Sequence, residues 1–354
     1  VMRGEREAET VTFRDADYFA SLGVDLMLGR AATGLDVAAR QVLVGGERIP
    51  FDGLILATGS KPRMLPGTPN LEGVFTLRTL EDAVAIRGEL ERDPRVVVVG
   101  AGFIGSEVGA SARSRGLDVT VLEALPVPLS RAVGEQMGQA CAGLHREHGT
   151  TLICGAGVGS LEGTTRVEAV RLTDGRVVEA DLVVVGIGVE PAVEWLQGSG
   201  LTLRGGVVCD STLSPGPPGI YAIGDIARWP NDVGGAEMRV EHWTNAAEQA
   251  IHAARSLLAG GTPSPFRSVP YFWSDQYGVR IQLVGYPEGD EDEVRVVEGD
   301  VEARQFVALY RRGSQVIAAL GMNSSKSVMT LRSRISEGMA WDEAVTSAAT
   351  EPRR

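Results

Sequence analysis

The chain has 354 residues, of which 44% are hydrophobic, and a formal net charge of −12. That length and composition suffice to bury sizeable cores in about two or three domains, and the acidic balance disfavours nonspecific binding to nucleic acid or an anionic membrane. No apolar run reaches the roughly 20 residues that span a bilayer, and the opening residues do not read as a leader, so a cytoplasmic, non-membrane protein is expected.

In chain order, the first clear element is in "FDGLILATGSKPRMLPG", where Leu54 to Leu56 read as a buried strand running into a turn at Thr58 and Gly59. The stretch from Val96 to Glu123 is more informative. Four valines suit a strand buried on both faces, and Gly100, Gly102 and Gly105 then give the G-x-G-x-x-G spacing before a helix that opens with Phe103 and Ile104. Gly100 permits the tight turn, Gly102 lets backbone approach a pyrophosphate, and Gly105 lets helix and strand pack closely. The helix N-terminus offers unpaired N–H groups and a positive dipole end to the anion. A second strand, "DVTVLE", ends in Glu123, whose carboxylate suits a ribose diol and repels a 2′-phosphate, which favours NAD(H) over the phosphorylated form.

Further along, His145 and His148 sit one helical turn apart in "LHREHG" and read as a solvated helix end, since no third metal ligand is near; no metal site is predicted. The cysteines, Cys141, Cys154 and Cys209, show no redox spacing and read as unpaired thiols. "PGIYAIGDIA" gives a short apolar strand ending at Gly224 and Asp225. The acidic run from Glu288 to Glu293 reads as a solvated loop. "FVALYRRGSQVIAALGM" reads as two strands around Gly313 and Ser314, and "SVMTLRSRISEG" as a helix.

The "ATG" turn at Thr58 and Gly59, the "GD" at Asp225 and the nucleotide unit between them resemble the flavoprotein reductases of the glutathione-reductase type. "LRTLEDA" from Leu77, "VEHWTNAAEQA" from Val240 and "VPYFWSDQYG" from Val269 are similar to the bacterial ferredoxin reductases that serve ring-hydroxylating dioxygenases and cytochrome monooxygenases. The resemblance covers nearly the whole chain. It implies an α/β fold of two nested Rossmann-like dinucleotide-binding domains plus a C-terminal α+β domain: residues 1–79 and 205–267 for FAD, 80–204 for NAD, and 268–354 at the C-terminus.

The same resemblance implies an NADH-dependent ferredoxin reductase with FAD and NAD(H) as cofactors, passing a hydride to flavin and then single electrons to a 2Fe-2S ferredoxin that feeds an oxygenase. Rubredoxin reductase, NADH oxidase and an inactive NAD-binding fragment are the alternatives; monomer and homodimer both remain open. By resemblance, Glu107 positions the nicotinamide, and Gly188 in "GIGVEP" lines the nicotinamide side. Asp225 meets the ribityl chain, Arg78 approaches FAD, and Ala32 meets the adenine. Glu241, His242 and Trp243 open a helix whose N–H groups face the flavin pyrimidine edge, and Trp273 sits beside the flavin near the partner face. Arg311, Arg312, Lys326, Arg332 and Arg334 form a candidate basic patch for an acidic partner. The residues "VMRGEREAETVTFRDADYFASLGVDLML" match a later helix and strand of the family's first half domain, so the expectation is of a chain lacking the first glycine turn and unable to hold FAD as written.

Overall fold

A computed structural model describes residues 1–233, 236–288 and 292–350. The described helices are α1 (Ala16–Ser21), α2 (Leu80–Leu90), α3 (Phe103–Ser114), α4 (Ser130–Glu147), α5 (Trp243–Ala259), α6 (Ser325–Ser336) and α7 (Trp341–Thr350). None is long and apolar enough to cross a membrane. The chain divides into a larger unit, residues 1–5, 62–189 and 269–354, and a smaller one, residues 6–61 and 190–268.

The larger unit is built on a five-stranded parallel sheet in the order Val74–Thr76, Leu182–Val185, Val96–Val99, Val119–Glu123, Thr151–Cys154. The two central strands, "VVVV" and "LVVV", are buried at every position, as all-apolar β-branched runs covered on both faces must be. Thr79 and Asp82 start α2 with a reciprocal capping box, Asp82 N–H donating to Thr79 Oγ1 at 3.2 Å and Thr79 N–H to Asp82 Oδ2 at 2.9 Å.

The second sheet of this unit is antiparallel, in the order Tyr271–Gln276, Val279–Gly285, Gln315–Met322, Gln305–Arg312, Glu293–Asp300. One core joins it to the nucleotide sheet's helices: Val133, Met137, Cys141 and Leu144 of α4 pack with Ile281, Phe306, Tyr310 and Leu320. Tyr310, fully buried, satisfies its hydroxyl by donating to Val133 O at 2.8 Å, which holds α4 beside its kink at Gly134 (φ 72°).

The smaller unit contains an antiparallel meander of Ala32–Asp36, Gln41–Val44 and Glu47–Pro50, a parallel pair of Leu54–Leu56 with Ile220–Ala222, and a three-stranded sheet of Val207–Val208, Ala227–Asn231 and Ala236–Met238. Its core gathers around Trp229, Leu213, Ile226 and Leu196. Two expectations change here. Of the strand read as buried, only Leu56 is fully covered, because the strand has one hydrogen-bonded neighbour among the described residues. The opening segment, expected to hold a helix and a strand, forms the helix α1 but no strand; Val24, Leu26, Met27 and Leu28 are exposed, and α1 buries no residue. A segment becomes a strand only when a neighbouring backbone takes its N–H and C=O groups.

Candidate nucleotide site and its relatives

The three glycines of the turn have the distinct geometries that their spacing requires. Gly100 has φ +100°, and a Cβ there would stand 2.4 Å from Gly186 O. A Cβ on Gly105 would stand 1.9 Å from Gly100 O, so the helix can approach the strand only at glycine. At Gly102, the N-cap of α3, a Cβ would meet open space, which leaves the backbone accessible to a ligand phosphate. Glu123, at the end of its strand, reaches back into this turn: its Oε2 accepts from Ala101 N at 2.8 Å and its Oε1 from Leu125 N at 2.9 Å. Both bonds come from backbone, so the carboxylate is placed by the turn itself. Cys154 is its register partner on the next strand. Gly188 (φ +98°) likewise opens onto space at the end of the "LVVV" strand, its carbonyl accepting from Arg63 N at 3.0 Å. The residues of this unit fit a dinucleotide.

On α3, Ile104 is exposed and Phe103 packs edge-on against Phe272 with ring centroids 4.1 Å apart. Glu107 faces the antiparallel sheet, where its Oε1 accepts from Ser274 Oγ at 2.7 Å and Asp275 N at 3.3 Å. Burial pushes this carboxyl up from its ordinary value, and the Ser274 hydrogen bond partly offsets the rise. Trp273, on the same strand, is 39% exposed and stacks with Tyr271 at 5.8 Å. Arg78 stands exposed just before α2, its N–H donating to Asp82 Oδ2 at 2.8 Å.

In the smaller unit, Asp225 follows the strand Ile220–Ala222, and its Oδ2 accepts from Ser60 Oγ at 2.6 Å. Gly224 N donates to the buried Gln249 Oε1 of α5 at 2.7 Å. Thr58 spends its hydroxyl on Ala192 O at 2.7 Å, and Gly59 adopts φ +67° there. His242 is the N-cap of α5 and makes no side-chain cap bond; burial lowers its pKa to about 4, so the ring is neutral at neutral pH. Glu241 pairs with Arg239 at 2.7 Å, and Trp243 is 66% exposed. Ala32 begins the meander, opposite Val44. An aspartate held by a serine and a helix start beside a neutral histidine fit the polyol and pyrimidine end of a flavin.

Sequence reasoning missed Ser60, Gln249, Ser274 and Tyr277. Each is a polar residue in an apolar or turn segment whose partner lies far away in the chain, and only the alternation of Ser274 and Gln276 within a strand hints at a buried polar face. His145 overturns its reading as a solvated helix end: it is fully buried, with Nδ1 2.8 Å from Tyr277 Oη and Nε2 3.3 Å from Ser106 Oγ, because the antiparallel sheet covers that face of α4. Among the described residues no group of His, Cys, Asp and Glu could hold a metal. All three cysteines are free, and burial raises the Cys141 and Cys209 thiols to about 12.

Of the acidic run, residues 289–291 lie outside the described residues. Asp292 is buried rather than solvated, bonded to both Arg312 Nε and Nη2 at 2.9 Å, since a buried carboxylate needs such a partner. The basic patch is therefore weaker than its count. Arg312 serves Asp292, Arg311 pairs with Glu293 and Arg334 with Glu343, and Arg332 donates to Val269 O at 2.9 Å while lying over the Tyr271 ring. Lys326 is exposed.

Residues 3–250 match the family model described as pyridine nucleotide-disulphide oxidoreductase, and residues 271–352 match the one described as reductase C-terminal. The chain is 36% identical over 334 residues to rhodocoxin reductase of Rhodococcus erythropolis, covering 94% of this chain and 77% of that one. It is 36% identical over 329 residues to the ferredoxin–NAD(+) reductase component of the biphenyl dioxygenase system of Paraburkholderia xenovorans, covering 92% and 79%. The reductase in the covalent putidaredoxin reductase–putidaredoxin complex superimposes with a TM-score of 0.89 at 33% identity, over 95% of this chain and 82% of that one. On the glycine turn, the two-sheet unit and these matches together, the chain belongs to the pyridine nucleotide-disulphide oxidoreductase family, in its branch with a reductase C-terminal domain.

Proposed function

We propose that this chain is an NADH-dependent ferredoxin reductase that takes the electron pair of NADH and delivers electrons singly to a 2Fe-2S ferredoxin feeding an oxygenase, in the cytoplasm. The relatives named for ferredoxin and dioxygenase systems support the reaction class. The observation that carries the dinucleotide assignment is the Glu123 carboxylate, bonded within the glycine turn on its own sheet. Gly100 and Gly102 form the turn into α3, which Phe103, Ile104 and Gly105 open, and the free N–H groups there hold the pyrophosphate; Glu123 takes the ribose hydroxyls, and Gly188 lines the nicotinamide side. Glu107 positions the nicotinamide. FAD, when bound, supplies the change from paired to single electrons. Asp225, braced by Ser60, holds its polyol, and Thr58 and Gly59 form the crossing beside Ser60. The α5 start at Glu241, His242 and Trp243 bears on the pyrimidine edge. Ala32, Arg78 and Trp273 keep the flavin-side roles that the family resemblance assigns them.

The test is NADH-driven reduction of cytochrome c by flavin-loaded protein, with and without an added 2Fe-2S ferredoxin. Reduction that requires the ferredoxin is expected. Equal NADH consumption without it, with oxygen as the sink, would overturn this reading in favour of an oxidase.

A further inference from the structure

Two adjacent residues of α3, Ser106 and Glu107, are held by one hairpin of the antiparallel sheet. Gln276 Nε2 donates to Ser274 Oγ at 3.0 Å, and Ser274 in turn donates to Glu107 Oε1 at 2.7 Å. A serine hydroxyl has one proton, so accepting from Gln276 fixes its rotor and commits that proton to the carboxyl. The next residue, Tyr277, bonds His145 and Thr150, each at 2.8 Å, and His145 reaches Ser106. Tyr277 (φ +53°) and Gly278 (φ +81°) are the two central residues of the hairpin turn, in the left-handed conformation that favours glycine and asparagine. A tyrosine there is kept by its bonds on either side.

Ser274 and Gln276 are both fully buried in a largely apolar sheet, where an unmatched hydroxyl and amide cost more than they return. The Ser274 hydroxyl finds its match in the carboxyl on the nucleotide helix, and Gln276 spends its amide N–H on Ser274 while its own Oε1 stays without a partner among the described residues. Both hairpin bonds go to Oε1, and among the described residues Oε2 accepts none. The carboxyl is thus oriented by one oxygen and leaves the other as an acceptor for an amide N–H donor. The nicotinamide carboxamide is such a donor.

We propose that Ser274, oriented by Gln276, is a positioning residue for NADH: it turns the Glu107 carboxyl so that Oε2 receives the carboxamide N–H of the nicotinamide. The proposal rests on the reading of Glu107 as the nicotinamide-positioning residue. It makes the hairpin that carries Trp273 also the determinant of nicotinamide orientation.

The test is titration of the full chain, monitored by nucleotide fluorescence, with NADH and with its reduced 3-acetylpyridine analogue, in which a methyl replaces the carboxamide nitrogen. Ser274→Ala should weaken NADH about 5- to 10-fold, the scale of one ordinary hydrogen bond, and leave the analogue unchanged. In a Glu107→Ala background the same substitution should have no further effect. Ser274→Thr, which keeps the hydroxyl, should retain the discrimination that the isosteric Ser274→Val loses, and this pair decides the matter should the alanine variant fold poorly. If Glu107→Ala binds both dinucleotides as the wild type does, the reading of Glu107 falls and the proposal with it. If Glu107→Ala loses the discrimination while Ser274→Ala and Ser274→Val keep it, or lose affinity equally for both dinucleotides, the proposal alone is overturned.

Discussion

The two units hold their candidate site residues by different means. In the larger unit the turn from Gly100 to Gly105 and the Glu123 that enters it lie within one strand–helix–strand passage, and the geometry follows from which positions lack a side chain. In the smaller unit Asp225 depends on Ser60, 165 residues away, and Gly224 depends on Gln249 of the following helix. The first arrangement is stiff because backbone excludes alternatives. The second is stiff only while distant side chains stay bonded, so it should respond to side-chain loss by loosening rather than by collapse.

Gly105→Val should break the first arrangement most completely. Its Cβ would enter the van der Waals shell of Gly100 O, and overpacking of this kind costs about 1–3 kcal/mol or more, so NADH affinity should fall on the order of 100-fold in an equilibrium titration. Affinity within a few-fold of wild type would show that the turn adjusts. Acid comes next. His145 has a pKa lowered by burial to about 4, against an ordinary 6.5, so its stabilising effect is complete above pH 6.5 and is lost as pH falls towards 4 and the unfolded chain takes the proton. The loss is on the order of 3 kcal/mol, and urea unfolding of the larger unit should lose that pH slope in His145→Gln.

Glu123→Gln is expected to narrow the preference for NADH over NADPH by about 10-fold, since a like charge facing a 2′-phosphate costs roughly 1–3 kcal/mol. Equal narrowing by a remote surface glutamate would remove Glu123 from that role. The smallest effect belongs to the smaller unit. Ser60→Ala removes one hydrogen bond from a half-buried carboxylate and should cost about 0.5–1.5 kcal/mol in denaturant unfolding, with NADH affinity untouched.

What was legible in the sequence follows the same division. The valine run, the glycine spacing and the acid at the strand end are near neighbours in the chain, and each needs only its own residue type to act. The Ser60–Asp225 and Ser274–Glu107 bonds and the burial of His145 are decided by which strand lies beside which, and no local pattern encodes that. The opening segment shows the converse: the resemblance implies a strand there, yet among the described residues no neighbouring backbone pairs with it. The count of basic residues near the C-terminus misled for a related reason, because Asp292, Glu293 and Glu343 come to three of those arginines only in the folded chain.

The register of the last parallel strand supplies a handle for spectroscopy. With Cys141 and Cys209 sealed in cores, Cys154 is the thiol that an alkylating dye reaches first, and it stands opposite Glu123 at the mouth of the glycine turn. Its own pKa is raised by burial and by the Glu123 charge, so labelling at mildly alkaline pH should be slow enough to follow. A fluorophore placed there without any mutation would report nucleotide arrival at the adenosine end, and bound NADH would shield the thiol from the reagent.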